Sequence, residues 1–287
     1  MSELLNKDNN GGFFIETRVP KDLQIKGLKI NKSSDLKGVF QDSICIQGMP
    51  GMADIGKMAA DQLVVLLDAT KILEINFDDF PAGAIVTDSI LYSPRAEIFY
   101  YNVPQGPDII ILTADAQPMS PRGIHAFSRY ISKLIGFLGS RLIISLGAFP
   151  VEHPSENSSV YITGTTKEIL EKFNHTKGIT RLGKGIIIGS NGLVPTFCKN
   201  NYNIEGLILL AETNGFEAMK KDSYDVKASM MLLDILSKEF DLNIDEQKFN
   251  DKVKIEDLEA KIKNEKESIK KEVNSSKKKP MTLPYFG

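Results

Sequence analysis

Tryptophan is absent from this 287-residue chain, which has only two cysteines and three histidines. Two cysteines are too few for a disulfide framework or a cysteine-based zinc site. Cys45 and Cys198 both lie in apolar sequence, which indicates buried, reduced thiols. Three histidines leave little material for a histidine-based metal centre. The sequence therefore predicts neither a metal site nor a cofactor.

Excess charge of one sign and long apolar runs are also missing. The formal net charge is −2, so the chain lacks the basic field of a nucleic-acid-binding protein. No apolar run approaches the ~20 residues that a membrane helix needs. Residues 1–10 have no apolar core of the kind found in a signal peptide. We therefore expect a cytoplasmic protein with no nucleic-acid partner and no membrane partner.

Short apolar runs alternate with helical patterns along the middle of the chain. The runs cover 43–47, 108–113, 141–146, 185–188 and 206–211, and the main helical patterns cover 54–67, 123–139 and 224–240. Continuous apolar runs of this length are typical of buried parallel strands. Their alternation with helices predicts an α/β protein with a mainly parallel central sheet flanked by helices.

Composition divides the chain into four parts. Residues 1–40 are a weakly patterned lead-in, and 41–245 form the α/β domain. Ten acidic residues and eleven lysines among the forty residues 241–280 mark a change to charged sequence. Apolar residues recur there from Ile255 to Val273 at steps of three, four and seven, which predicts a charged helix over 246–274 with a narrow apolar seam. Residues 275–287 are a lysine-rich linker and an aromatic tail.

The turn after the first apolar run is similar to a phosphate-binding loop. Residues 51–57 fit Gly-x-x-x-x-Gly-Lys, but Met58 replaces the Ser or Thr that would hold magnesium. Asp54 adds negative charge where phosphates would lie, although it could cap the following helix. We favour a tight strand-to-helix turn whose glycines allow close packing.

Polar residues and glycines follow several of the predicted strands, where open α/β folds bind ligands. The predicted crevice comprises Gly48, Pro50, Gly51, Gly56, Asp115, Gln117, Gly147, Gly189, Gly192 and Glu212. Such a crevice could serve an enzyme of the phosphorylase/hydrolase type that holds a nucleoside-like molecule through Asp115, His153 and Glu212. The sequence has no Gly-x-Ser-x-Gly elbow and supplies no coherent set of nucleophile, base and phosphate site. No catalytic residue is therefore assigned.

The last seven residues are apolar and aromatic, although chain ends are usually polar. They follow three consecutive lysines and include Leu283, Pro284, Tyr285, Phe286 and Gly287. Two interpretations remain open. The tail folds back on its own domain, or it is a peptide ligand whose aromatic side chains anchor it in a partner.

An ordered series of motifs resembles the proteasome assembly chaperone 2 family, especially its archaeal members. Residues 47–56 resemble the family's Gly-x-Pro-Gly-x-(Gly/Ala)-x-(Ile/Val)-Gly opening, and 112–118 resemble its Leu-Thr-Gly-Asp-x-Gln-Pro stretch. Residues 79–81, 145–148, 189–193 and 205–213 follow in the expected order. The resemblance covers about 40–245.

This resemblance implies a phosphorylase/hydrolase-like fold, no settled enzymatic activity and a homo-oligomer that assists assembly of the proteasome core particle. The implied partners are proteasome α subunits or a related chaperone. Some archaeal relatives end in a hydrophobic-Tyr-x signature that inserts between α subunits, where a lysine takes the terminal carboxylate. This chain has Phe286 at the penultimate position and Tyr285 before it. The tail therefore retains an aromatic anchor but lacks the phenol hydroxyl at that place.

Overall fold

The computed structural model describes residues 12–154, 159–220 and 223–242. Its strands are β1 Ile15–Arg18, β2 Gln24–Ile25, β3 Leu28–Lys29, β4 Ile44–Gly48, β5 Thr70–Phe77, β6 Ile85–Thr87, β7 Ile90–Tyr92, β8 Arg95–Tyr101, β9 Ile109–Ala114, β10 Leu142–Val151, β11 Val160–Gly164, β12 Ile179–Arg181 and β13 Glu205–Asn214. Its α-helices are α1 Ile55–Leu66, α2 Pro121–Leu138, α3 Lys167–Lys172, α4 Ser190–Tyr202, α5 Gly215–Ala218 and α6 Val226–Phe240. Two 3₁₀ turns cover Ser33–Leu36 and Met52–Asp54.

Nine strands form one sheet in the order β1-β5-β8-β9-β4-β10-β13-β11-β12. The four central strands, β9, β4, β10 and β13, are parallel to one another. They are the buried apolar strands that the sequence predicted. The prediction of an α/β protein with a parallel central sheet flanked by helices is thus confirmed. On both sides of this centre the neighbouring strand runs antiparallel, as β8 does against β9 and β11 against β13.

Helices cover both faces of the sheet. On one face α1 packs against α6, and on the other α2 packs against α4. Successive residues of a strand point to opposite faces, so Ile110 and Leu112 join the core beneath α2. Local sequence fixes the ends of α2: the Ser120 Oγ accepts the Gly123 N–H at 2.9 Å, Pro121 is the first helical residue, and Gly139 ends the helix with φ of 102°.

The apolar run over 185–188 is not a strand. It lies in an irregular segment between β12 and α4, where Ile186 is 91% and Ile188 is 85% exposed. The expectation of a buried strand there is wrong. The following Gly189 has φ of +85° and turns the chain into α4.

The N-terminal lead-in is part of the folded domain in the described residues. Within the predicted lead-in, β1 pairs with β5, and Ile15, Leu36 and Phe40 are buried in the main hydrophobic cluster. The predicted helix over 246–274 and the tail over 275–287 lie outside the described residues. Among the helices that are described, none is long and apolar enough to cross a membrane.

Candidate functional site

A crevice of about 450 Å³ opens where β4, β9 and β10 end and α4 begins. Gly51, Gln117 and Gly147 from the predicted set line it. Adjacent parallel strands bring their carboxyl ends to the same edge of the sheet, which is why these residues from distant parts of the chain meet.

Gln117 holds the two sides of the crevice together. Its Nε2 donates to the Pro50 carbonyl oxygen at 2.6 Å, and its Oε1 accepts the Ser190 N–H at 3.2 Å. A Cβ at Gly189 would lie 2.8 Å from the same Oε1, so glycine is needed for this approach. Gln117 therefore links the loop after β4 to the start of α4, which is a positioning role rather than a chemical one.

Gly48 and Gly56 do not line this crevice. A Cβ at Gly48 would strike the carbonyl oxygen of Gly56, and a Cβ at Gly56 would strike that of Leu146. Both glycines therefore bring β4, α1 and β10 into close contact. This is the packing function that we favoured over phosphate binding for the glycine-rich turn.

The turn between Gly48 and Gly56 has an unusual backbone. Ala53 and Asp54 both have positive φ, 49° and 47°, which is costly for residues with a Cβ. Asp54 immediately precedes α1, but its Oδ1 accepts the Gly51 N–H at 3.3 Å and makes no hydrogen bond to the helix. The suggestion that its side chain caps the helix is therefore wrong. Burial raises the pKa of the Asp54 carboxyl.

A buried polar contact lies beneath the crevice. The Gln47 Nε2 on β4 donates to the Asn191 Oδ1 on α4 at 3.1 Å. Ser145 lies opposite Gln47 in the register of β4 and β10. The Gln47 Oε1 and the Ser145 Oγ are buried without a hydrogen-bond partner among the described residues. The hydrogen bond between Gln47 and Asn191 therefore connects α4 to the centre of the sheet.

Asp115 belongs to a different cavity of about 260 Å³, on the α1 face of the sheet. Lys57, Arg95 and Thr113 line it as well. The Arg95 N–H donates to the Asp115 Oδ2 at 3.1 Å, and burial raises the pKa of this carboxyl. Thr113 donates to the Asp61 Oδ1 at 2.6 Å, and Lys57 pairs with the same carboxylate at 2.8 Å. The charges of this cavity are thus largely satisfied within the fold.

The other candidate residues are dispersed. Gly192 lines a third cavity of about 510 Å³, together with Lys184 and Lys199. The Glu212 carboxylate accepts the Ser159 N–H at 3.3 Å beside β11, and His153 is exposed. Of Asp115, His153 and Glu212, only Asp115 lines one of these three cavities, so none of the three cavities brings these residues together. No cluster of three His, Cys, Asp or Glu residues suited to a metal ion occurs in the described part of the chain either.

Sequence reasoning missed the apolar character of this edge of the sheet. Large apolar side chains are exposed after three of the four central strands and before α4, where an enzyme of this layer type would carry polar groups. They are Met52 after β4, Met119 after β9, Phe216 and Met219 after β13, and Ile186 and Ile188 before α4. Exposed apolar side chains gathered at one edge are a feature of interaction surfaces and ligand grooves. The glycines at 183, 185 and 189 around the isoleucines were a signal that could have identified part of it.

A family model shows the family of this chain, and solved structures show its fold. The sequence model of the PAC2 family matches residues 45–270. An uncharacterized protein of Methanocaldococcus jannaschii is 28% identical over 249 residues, which cover 86% of this chain and 93% of that protein.

Among solved structures, the Pyrococcus furiosus protein PbaB, described as an archaeal proteasome activator, superposes with a TM-score of 0.70 at 23% identity, over 87% of this chain and 98% of its own. Pyrococcus furiosus PbaA, described as an archaeal homolog of proteasome-assembly chaperone, gives a TM-score of 0.64 at 20% identity, over 94% and 99%. At these identities the structural likeness establishes the fold.

Proposed function

From the premise that this chain belongs to the PAC2 family, we propose that it is a proteasome assembly chaperone-like scaffold that acts in the cytoplasm by binding proteins rather than by catalysis. Its partners are proteasome core-particle α subunits or a co-chaperone. The family match over 45–270 carries this proposal.

The apolar edge of the sheet supports binding over catalysis. Met52, Ile186 and Ile188 surround the crevice in place of titratable groups. The alternative of a phosphorylase/hydrolase-like enzyme required Asp115, His153 and Glu212 around one ligand, and these three are dispersed. A nucleoside or inorganic phosphate that raised the melting temperature of the protein would favour the enzyme instead.

The tail, Leu283 to Gly287, is the element that we propose to bind the α subunits. Tyr285 and Phe286 supply aromatic anchors for a pocket on the partner. Because the proposed scaffold is a homo-oligomer, several tails would bind one α ring together, and avidity would strengthen contacts that are individually weak.

The test is capture of α subunits by the full chain and by a chain that ends at Lys279. Capture by the full chain alone supports tail binding, whereas equal capture by both places recognition on the α/β domain. Capture by neither contradicts direct binding to α subunits. Met281→Ala is the matched control within the tail, and it should leave capture intact where Phe286→Ala reduces it.

One gain-of-function variant sharpens this test. Phe286→Tyr restores the phenol hydroxyl at the penultimate position. A single new hydrogen bond is worth about 0.5–1.5 kcal/mol, so α-subunit affinity should rise by about 2- to 10-fold. An unchanged affinity would contradict insertion of this residue into a pocket that is built for tyrosine.

A further inference from the structure

The hairpin formed by β6 and β7 is separate from the main sheet. Its two strands pair only with each other among the described strands, and Asp88 and Ser89 join them with φ of 50° and 65°, which indicates a type I′ turn. Two-stranded hairpins are marginally stable by themselves. This hairpin also exposes three large aliphatic side chains, Val86, Ile90 and Leu91, at 63%, 68% and 69%. Burial of these side chains against a partner would stabilise the hairpin.

The hairpin and the crevice lie at the same edge of the sheet. The segment 78–94 that contains the hairpin connects the end of β5 to the start of β8, and Ala96 of β8 lies opposite Ala114 at the end of β9. The crevice lies beyond β9, at the ends of β4 and β10. With strands about 4.8 Å apart, the start of β8 is about 14 Å from β10. The two apolar surfaces are thus side by side on one molecule, and both are uncovered.

Their charges are opposite. Residues 78–94 contain Asp78, Asp79 and Asp88 and no basic residue. Residues 174–189, which carry the exposed isoleucines of the crevice, contain Lys177, Arg181 and Lys184 and no acidic residue. The hairpin segment is thus acidic and apolar, whereas the crevice is lined by apolar and neutral residues and is bordered by a basic segment. The two surfaces complement each other in apolar character, and their flanking charges are opposite.

We propose that the β6–β7 hairpin of one copy of this chain docks in the crevice of a second copy. The contact joins two different surfaces, so an open assembly keeps a free hairpin at one end and a free crevice at the other until it closes. Head-to-tail contacts of this kind close into rings when the rotation between neighbours permits it. The proposal rests on the homo-oligomer in the proposed function and specifies how its subunits meet.

The experiment uses two full-length variants that each damage one surface. Ile90→Asp with Leu91→Asp disables the hairpin, and Ile186→Asp with Ile188→Asp disables the crevice. All four side chains are exposed, so the substitutions should leave the fold intact, as thermal unfolding can verify. Leu28→Asp, at another exposed aliphatic residue on β3, is the matched control.

Light scattering at micromolar concentration should give an oligomer for the unchanged chain and for the Leu28 control, and a monomer for each double variant. An equimolar mixture of the two double variants should give a particle of twice the mass of one chain, because the mixture contains one intact hairpin and one intact crevice per pair. This recovery in the mixture identifies a head-to-tail contact.

Three results would overturn the proposal. They are an oligomer that survives either double variant, a mixture that stays monomeric, and an unchanged chain that is itself monomeric. α-Subunit capture by the tail distinguishes these results from failure of the proposed function. Both proposals are supported if the hairpin variant is monomeric and still captures α subunits through its tail with lower avidity. Only the proposed function is contradicted if the oligomer stays intact but captures no α subunits.

Discussion

Two runs of three isoleucines differ in how far they are exposed to solvent. Ile109, Ile110 and Ile111 in β9 are completely buried, whereas Ile186 and Ile188 are almost completely exposed. The first run continues through Leu112 to Ala114 and pairs with strands on both sides. The second is bounded by Gly185 and Gly189 and pairs with no described strand. The run that pairs with strands on both sides is buried throughout, whereas the run without a paired strand exposes two of its three isoleucines and leaves Ile187 half-buried.

Truncation of one isoleucine in each run should give the largest difference in the free energy of unfolding. Ile111→Ala removes fully buried side-chain atoms and leaves a cavity, so the free energy of unfolding should fall by about 2–5 kcal/mol. Ile188→Ala removes atoms that the fold of a single chain leaves exposed. Measured in the monomeric Ile90→Asp, Leu91→Asp background, the change should therefore stay within about 0.5 kcal/mol. Urea unfolding of both variants measures the two changes in the free energy of unfolding. Equal losses in that monomeric background would mean that Ile188 is buried within its own chain, which would contradict the exposed segment described above.

Substitution of a glycine near each run should show the same contrast: a large loss of stability near the buried run and almost none near the exposed run. Gly48→Ala would force a Cβ against the Gly56 carbonyl between β4 and α1, and overpacking of this kind costs about 1–3 kcal/mol. Gly183→Ala meets no atom within 4 Å in the exposed segment, so it should be close to neutral. Denaturant midpoints compare the two directly. A neutral Gly48→Ala would show that β4 and α1 are less closely packed than the structure indicates.

The same contrast explains how much the sequence could predict. The four central strands follow from apolar runs alone, since each is buried on both faces of a parallel sheet. The meeting of Gly51, Gln117 and Gly147 follows from the shared carboxyl edge of adjacent strands. Sequence pattern reports neither the direction of flanking strands such as β8 and β11 nor the neighbours of a run, so it could not reveal the exposure of Ile186.

The position of Asp115 was missed for a different reason. Asp115 lies with Thr113 on the α1 side, while Gln117 lies with α4 on the other side. Residues two apart on a strand share a face, but counting alone would place Gln117 on the α1 side too, because it is two residues beyond Asp115. The strand alternation does not apply to either residue, since β9 ends at Ala114. The exposed hairpin at 85–92 left a weaker signal, because its β-branched residues also fit a single longer strand over 84–91.

The smallest predicted effect is a pH dependence at the end of the buried run. Burial raises the pKa of Asp115 above its ordinary value of 3.8, against the opposing hydrogen bond from the Arg95 N–H. Between the ordinary and the raised value, the folded protein retains a proton that the unfolded chain has lost. The stabilising contribution of this carboxyl is therefore present below the ordinary pKa and declines as the pH rises through the raised one.

Asp115→Asn should remove this dependence, since the amide oxygen can still accept the Arg95 N–H. The two proteins should become more different in free energy of unfolding as the pH rises from 4 towards neutrality, with the aspartate form losing relative stability. Asp234→Asn is the control, because that carboxylate is exposed and pairs with Lys238 on the surface of α6. A difference that instead grew towards acid pH would mean that Lys57 and the Arg95 N–H outweigh burial, and that the charged carboxylate is the form that the fold stabilises.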